Sequence, residues 1–351
     1  MNEPRLIRDR LVLVLDTETT GPEPETARIV ELGAAYFVGG ELVRSLSIRI
    51  NPGEPIPAGA SEVHGIFDAD VADAPTFAQV APRLLKHMSG EWARDNLGIP
   101  PAPEDGDSFG MVETPLVVGY NILRYDAIVI DAEFVRANVP VFEPMGCAEI
   151  LDPIAWSMWE NRGGRNKLTE VCEDVGISLK DAHAASADAV ATGRLLFRLI
   201  QIGIIPDNDT AAMREMAWRV EQLEAERAEF GHYFYRCRAG TGALLVGFGK
   251  HKAALATSVP RSYWQFVLGK FTDLHPGAEK AMRELAGLPE KAEPVPEATA
   301  PAPRPEPAKV APRAPAPKSE IIVRPDPAPA PLPAATVAPA PQFEVVEGLD
   351  W

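Results

Sequence analysis

The first strong signal along the chain is a run of five apolar residues, Leu11 to Leu15, with charged residues on either side. An unbroken run of that kind predicts a central strand covered on both faces. Residues 28–37 and 41–50 are two further β-rich runs, and the Gly39-Gly40 pair between them predicts a hairpin. Between 76 and 87 the apolar residues fall at 77, 80, 84 and 85, a helical spacing. Residues 116–119 predict another buried strand, 128–137 a helix and 149–151 a short strand. Helical patterns follow near 153–161, 167–175 and 185–203. Strands first, then helices alternating with strands, predict an α/β domain whose sheet is of mixed direction.

Residues 88–115 break this pattern with glycine, proline and acidic residues. A stretch of that length is either a lid or disordered chain, and disorder is the expectation carried forward. A charged helix is expected over 207–230, then a compact segment with aromatic and Gly-Lys residues to about 287. From 288 to 341 the composition changes. Of the chain's 35 prolines, 17 fall between Pro289 and Pro341, mostly interleaved with alanine. Such a stretch cannot bury a core and predicts an extended, disordered linker. It ends in an acidic, aromatic segment, Q-F-E-V-V-E-G-L-D-W, at 342–351.

A chain of 351 residues with 46% hydrophobic content supports about two domains with buried cores. The N-terminal ten residues lack an apolar segment, so a secretion signal is not expected. No uninterrupted apolar run approaches the ~18 residues of a membrane span. Cys147, Cys172 and Cys237 are widely spaced, which argues against a disulfide framework or a zinc site and fits a reducing cytoplasm. The net charge of −16 argues against broad electrostatic capture of nucleic acid. A nucleic-acid substrate would have to be held at a local site, with metal ions.

Such a site can be assembled from four distant segments: V-L-D-T-E-T-T-G at 14–21, V-H-G-I at 63–66, G-Y-N-I-L-R-Y-D at 119–126 and D-A-H-A-A-S-A-D at 181–188. Asp16 and Glu18, two apart on a strand, point to one face at its C-terminal end. Their carboxylates repel unless a cation lies between them. Asp188 shares an inward helix face with Thr192, Leu195 and Leu199, where a buried carboxylate is expensive and a metal ion resolves the cost. Asp126 follows a buried strand and opens a helix, where an acid can also serve only as a cap. His183 precedes the last helix, and taken alone could be a surface or capping residue. Five such residues at the ends of elements meeting in one sheet are better explained jointly, as a metal site. All-carboxylate sites suit Mg²⁺ or Mn²⁺. Two such ions, with a histidine titrating near neutrality to take a proton, suit phosphodiester hydrolysis.

These segments resemble the DEDDh 3′–5′ exonucleases, the DnaQ-like group that includes polymerase proofreading subunits, ribonuclease T and exonuclease X. The resemblance covers about 9–203. V-L-D-T-E-T-T-G is similar to the family's first motif and H-A-A-S-A-D to its third, while V-H-G-I and T-F-A-Q-V resemble its connecting segment. The resemblance implies a ribonuclease H-like fold. It implies one metal held by Asp16, Glu18 and Asp188, and a second by Asp16 and Asp126. It also implies His183 as general base, with Thr19 and His64 near the terminal nucleotide. Asn121 joins them as a candidate substrate contact. The second motif departs from the usual H-N-x-x-F-D, because one extra residue separates Asn121 from Asp126. That longer form resembles the exonuclease I branch and puts the roles of Tyr120 and Asn121 in doubt. Residues 246–266, V-G-F-G-K-H-K followed by V-P-R-S-Y-W-Q-F, resemble a small F-G-K-x-K module appended to exonuclease X-like proteins. They are either a phosphate- and base-contacting surface or a satellite core with a solvated basic turn.

The expected activity is metal-dependent 3′–5′ hydrolysis of DNA to nucleoside monophosphates. An exoribonuclease acting on RNA remains open, as does a non-catalytic scaffold presenting the proline-rich arm. The 342–351 segment is expected to dock on a protein partner, unless it is only a solubilising end.

Overall fold

The computed structural model describes residues 5–98, 114–139, 145–146, 148–160, 164–179, 184–237, 242–290 and 346–347. Its first strand, β1 (Val12–Thr19), contains the last four residues of the apolar run and continues through the D-T-E segment. It lies antiparallel to β2 (Ile29–Val38), which turns through Gly39 and Gly40 into β3 (Glu41–Arg49). Both turn glycines have positive φ, 63° and 83°, the conformation a two-residue hairpin needs at both positions. On its other side β1 pairs in parallel with β4 (Leu116–Val118), which pairs in parallel with β5 (Ile150–Leu151). The sheet order is thus β5-β4-β1-β2-β3, the mixed, ribonuclease H-like arrangement expected from the sequence.

Helices α1 (Ala58–His64), α2 (Asp68–Val71), α3 (Phe77–Met88) and α4 (Glu91–Leu97) follow the hairpin. Then come α5 (Asp126–Arg136), α6 (Ile154–Glu160), α7 (Leu168–Asp174) and α8 (Ala185–Gln201). The two faces of β1 separate the helices by the strand's period of two. Leu11, Leu13 and Leu15 join a core with Phe77, Leu84, Val129 and Phe134 from α3 and α5. Val12 and Val14 join the opposite core with Trp156, Val171, Leu195 and Leu199 from α6, α7 and α8. Asp16 and Glu18 continue the second series, so the strand's period alone turns them toward α8.

The described residues of the stretch read as a lid or disordered chain include α4. Trp92 decides this locally. Its ring stacks on Tyr36 at 5.1 Å and on His87 at 4.7 Å, and Ala93 is fully buried beside them. A sequence window rich in glycine and proline hid about two turns of helix whose stability comes from tertiary contact. Residues 99–113 of that stretch lie outside the described residues.

Helix α9 (Asp209–Phe230) leads away from the sheet. Ala212 and Met216 near its start pack on the core of α8, while Phe230 at its end joins a separate core. That second core contains the hairpin β6 (Phe234–Arg236) and β7 (Leu244–Val246), helix α10 (Arg261–Lys270) and helix α11 (Pro276–Ala286), around fully buried Trp264. The proline-rich linker lies outside the described residues beyond Glu290. Of the terminal segment, Val346–Glu347 forms β8, parallel to β3 opposite Arg44 and Ser45. Two residues of the segment expected either to dock on a partner or to be a solubilising end thus add a short strand to the edge of the chain's own sheet.

Candidate active site

Asp16, Glu18 and Asp188 each offer an oxygen, and the three atoms lie within 4.8 Å of one another. The approach of α8 that makes this possible depends on β2. Gly33 sits directly opposite Asp16 in the β1–β2 register. A Cβ there would lie 2.2 Å from the Ala185 carbonyl carbon, so only glycine lets the first turn of α8 rest on the sheet. Glu31, paired with Glu18 across the strands, accepts the Ala185 backbone N–H at 3.2 Å. Asp188, one turn further along α8, is thereby held against the end of β1. At the middle of the same helix Gly193 makes the same concession to Phe37, whose ring would be 2.1 Å from an added Cβ.

Asp126 is buried beside Asp16 but is not part of that triad. It lies at the start of α5, and its charge is the first of the neighbouring carboxylates that raise Asp16. There Thr17, between the two acids of the D-T-E segment, donates to its Oδ1 from both N (3.0 Å) and Oγ1 (2.6 Å). One strand tripeptide thus presents Asp16 and Glu18 to α8 and anchors Asp126 through the residue between them. Besides Thr17, the Asp126 carboxylate accepts its own backbone N–H in the first turn of α5, so it serves the helix end as well as the site. Helix α5 is tied to the sheet by buried Glu133, which accepts from Arg28 Nε at 2.5 Å.

The electrostatics follow from burial and crowding. Burial, then the carboxylates of Asp126, Asp188, Glu18 and Glu31, push Asp16 well above the usual carboxylate range. Glu18 is pushed to about 8, first by burial and then by Asp188, Glu31 and Asp126, with Arg49 pulling the other way. Burial raises Asp126 to about 6 against the opposing hydrogen bonds from Thr17. Carboxylates this crowded hold protons near neutrality unless a cation replaces them. Three hard oxygen donors in such a triangle fit a divalent cation, and the charge they lack is what that ion brings.

The remaining candidates are distributed around this centre. His64 ends α1 and is buried beside the Thr19 backbone; burial lowers its pKa. Its Nδ1 accepts the Ile66 N–H at 3.0 Å, and its other ring nitrogen faces the Thr19 backbone, whose hydrogen bond opposes the effect of burial. Thr19 Oγ1 donates to the Gly21 carbonyl at 3.0 Å and touches the Tyr125 hydroxyl. Asn121 has a left-handed backbone, φ 68°, on the loop before α5. His183 lies outside the described residues.

Sequence reasoning passed over four residues that build the site: Thr17, Glu31, Gly33 and Asp152. Buried Asp152 accepts N–H groups from Asn121 (2.9 Å), Leu123 (3.2 Å) and Ile154 (3.1 Å), so it fixes the loop that delivers Asp126. Burial raises it to about 7. The available signal was the position of Thr17 inside D-T-E; Glu31 and Asp152 act through contacts no local window contains.

Residues 13–97 match the exonuclease family model RNase_T. The chain is 32% identical over 198 residues to a DNA polymerase III subunit epsilon-like protein of Rhodobacter capsulatus, covering 55% of this chain and 24% of that protein. It is 30% identical over 185 residues to DNA polymerase III subunit epsilon of Pasteurella multocida, covering 50% of this chain and 63% of the relative. The chain therefore spans less than two thirds of either relative's length. A solved structure of exonuclease X in complex with 5′ overhanging duplex DNA aligns at 18% identity and a TM-score of 0.41, covering 58% of this chain and 99% of that one.

Proposed function

We propose that this chain, which carries an exonuclease domain of the DnaQ-like, DEDDh type, is a divalent-metal-dependent 3′–5′ exonuclease. It hydrolyses DNA phosphodiester bonds from the 3′ end and releases nucleoside monophosphates. The observation that carries this reading is the triangle of Asp16, Glu18 and Asp188 oxygens at the end of β1, with Asp126 buried beside it. Asp16, Glu18 and Asp188 would hold one Mg²⁺ or Mn²⁺, and Asp16 with Asp126 a second. When bound, the ions supply positive charge that activates water and stabilises the leaving oxygen.

The protein's own residues do the rest. Thr17 keeps the Asp126 carboxylate aimed at the strand end while leaving its second oxygen uncommitted to that contact. Asp16 and Glu18, both raised above the usual carboxylate range, would give up their protons to a bound cation. His183 is proposed as the general base that takes the proton of the attacking water, from the segment leading directly into α8. His64, kept neutral by its burial, is proposed to lie beside the terminal nucleotide. Thr19 and Asn121 are proposed to contact the same nucleotide, the latter from a backbone fixed by Asp152.

DNA is favoured over RNA by the relatives named as DNA polymerase subunits. The retained carboxylate set weighs against a scaffold without catalysis. No helix among the described residues is long and apolar enough to cross a membrane; the cytoplasmic placement we propose rests on the widely spaced cysteines, which fit a reducing compartment. The terminal segment 342–351 is proposed to dock on a protein partner by strand addition, the mode its pairing with β3 exemplifies.

The test is release of mononucleotides from 3′-labelled single strands of DNA and RNA, with Mg²⁺ or with chelator. Labelled mononucleotide as first product, from DNA in preference to RNA and only with metal, is expected. Retention of the label until digestion is complete would overturn the polarity, and hydrolysis in chelator would overturn the metal requirement.

A further inference from the structure

The chain carries 50 acidic residues, about one in seven, yet none lies between Glu229 and Asp273. Those 43 residues hold six Lys and Arg: Arg236, Arg238, Lys250, Lys252, Arg261 and Lys270. In a chain of net charge −16 this segment is cationic. It coincides with the hairpin and α10 of the second core, away from the carboxylate site.

The structure arranges its cations with rings. Lys250 Nζ lies 5.3 Å from the Tyr263 ring centre, and His251 meets the same ring edge-on at 4.5 Å. The turn between them packs closely: a Cβ on Gly249, φ 61°, would lie 2.8 Å from the Tyr263 hydroxyl. Tyr263, Phe266 and Lys270 follow at positions i, i+3 and i+7 of α10, one stripe of the helix. Lys270 Nζ sits 5.6 Å from the Phe266 ring centre and 5.9 Å from that of Phe271. A module built only to bury a core would hide its rings, as it hides Trp264 at 0% exposure; Phe266 and Phe271 instead stand 57% and 45% exposed. Lys250, Lys252 and Lys270 are exposed and have no carboxylate partner among the described residues.

Exposed rings interleaved with unneutralised cations are the chemistry of single-strand binding, where bases stack and phosphates meet positive charge. We propose that the surface formed by Lys250, Lys252, Tyr263, Phe266, Lys270 and Phe271 is a second binding site for single-stranded nucleic acid, distinct from the carboxylate cluster. It rests on the reading that the exonuclease domain acts on nucleic acid, and gives an otherwise acidic enzyme a hold on its polyanionic substrate. Helix α9, with 22 residues and so about 33 Å long, sets this surface at the far end from the exonuclease core. Strands of only a few nucleotides engage one site, and long strands engage both.

The experiment measures binding of fluorescent 30-nucleotide DNA and RNA strands to the full chain by anisotropy, in EDTA, from 50 to 300 mM salt. Each phosphate contact to a single strand contributes a slope of about −0.7 to log K against log salt. The variant Lys250→Gln/Lys252→Gln/Lys270→Gln should flatten the slope by about 2 and weaken binding about 100-fold at 0.1 M salt. Phe266→Ala/Phe271→Ala should weaken binding about tenfold or more while keeping the slope, because stacking releases no counterions. Both variants should retain the parent's melting temperature, since every altered side chain is exposed. A triple-lysine variant with parental affinity and slope overturns the proposal. So does equal loss of binding to polyglutamate with no effect of the ring variant, which would mark the surface as fitting an acidic protein instead. Because EDTA removes hydrolysis from the readout, failure of the nuclease reading and failure of this one are separate results.

Discussion

Replacing Glu18 by glutamine should stabilise the metal-free protein, and the size of the gain should grow with pH. In the unfolded chain Glu18 titrates near its ordinary value of 4.5, whereas in the folded protein burial and three neighbouring carboxylates raise it to about 8. Between those values the folded state holds a proton that the unfolded state has released. Stability therefore falls as pH rises through that window and levels off above the folded value. Not every group pushes the same way. Burial lowers His87 to about 3, so its contribution rises with pH and is nearly complete by about pH 7. Comparing parent and Glu18→Gln at each pH cancels that term, because His87 is common to both. From pH 6.5 to 8 the Glu18 contribution amounts to 1.5 units at 1.36 kcal/mol each, about 2 kcal/mol. For a domain near 200 residues that is roughly 4–8 °C in melting temperature.

The assay is thermal unfolding of parent and variant at pH 6.5, 7.25 and 8, in EDTA and in excess Mg²⁺ or Mn²⁺. In EDTA the parent should melt progressively below the variant as pH rises. With metal the order should reverse, because a cation bound only by the folded state adds stability by mass action and the variant has lost a ligand. A parent whose metal-free melting temperature stays level with the variant's from pH 6.5 to 8 would refute the account of the site as electrostatically frustrated.

Asp16→Ala and Asp188→Ala should each abolish nuclease activity in folded protein, checked by mononucleotide release alongside a melting curve; wild-type-like hydrolysis by either sinks their assignment. His183→Ala should slow hydrolysis by roughly 10²–10⁴-fold with affinity little changed and partial recovery at high pH, read from kcat and KM across pH; a loss confined to KM would make His183 a substrate contact. Gly33→Ala should drive the start of α8 off the sheet, costing about 1–3 kcal/mol as an overpacked contact and removing most of the metal-induced rise in melting temperature. Thr17→Val should leave the fold intact but lower activity, because Asp126 loses its 2.6 Å hydroxyl donor; unchanged kcat would show that the backbone N–H alone positions it.

How much of this was legible in the sequence depends on how local the determining force is. The apolar run at 11–15 and the strand period of two were enough to place Asp16 and Glu18 on one face, and Gly39-Gly40 was enough to turn the hairpin. Those calls rest on steric and hydrophobic rules that act over a few residues, so the order of strands and helices in the exonuclease domain could be read directly. Helix α4 could not, because seven residues in a glycine- and proline-rich window form a helix only when Trp92 has Tyr36 and His87 to stack on.

The site divides in the same way. The sequence alone named the four carboxylates, but their arrangement was decided by contacts between residues 31 and 185, 33 and 185, and 17 and 126. Tertiary structure grouped Asp16 and Glu18 with Asp188, and fixed Asp126 beside Asp16 through the N–H and hydroxyl of Thr17. It also set Glu31 beside them, a fifth carboxylate whose charge no spacing rule could have assigned to the site. The physical reason is the range of the interactions. Strand pleat and helix pitch are fixed by the backbone within a turn, whereas burial, Coulomb repulsion and close packing depend on which distant segments the fold brings together.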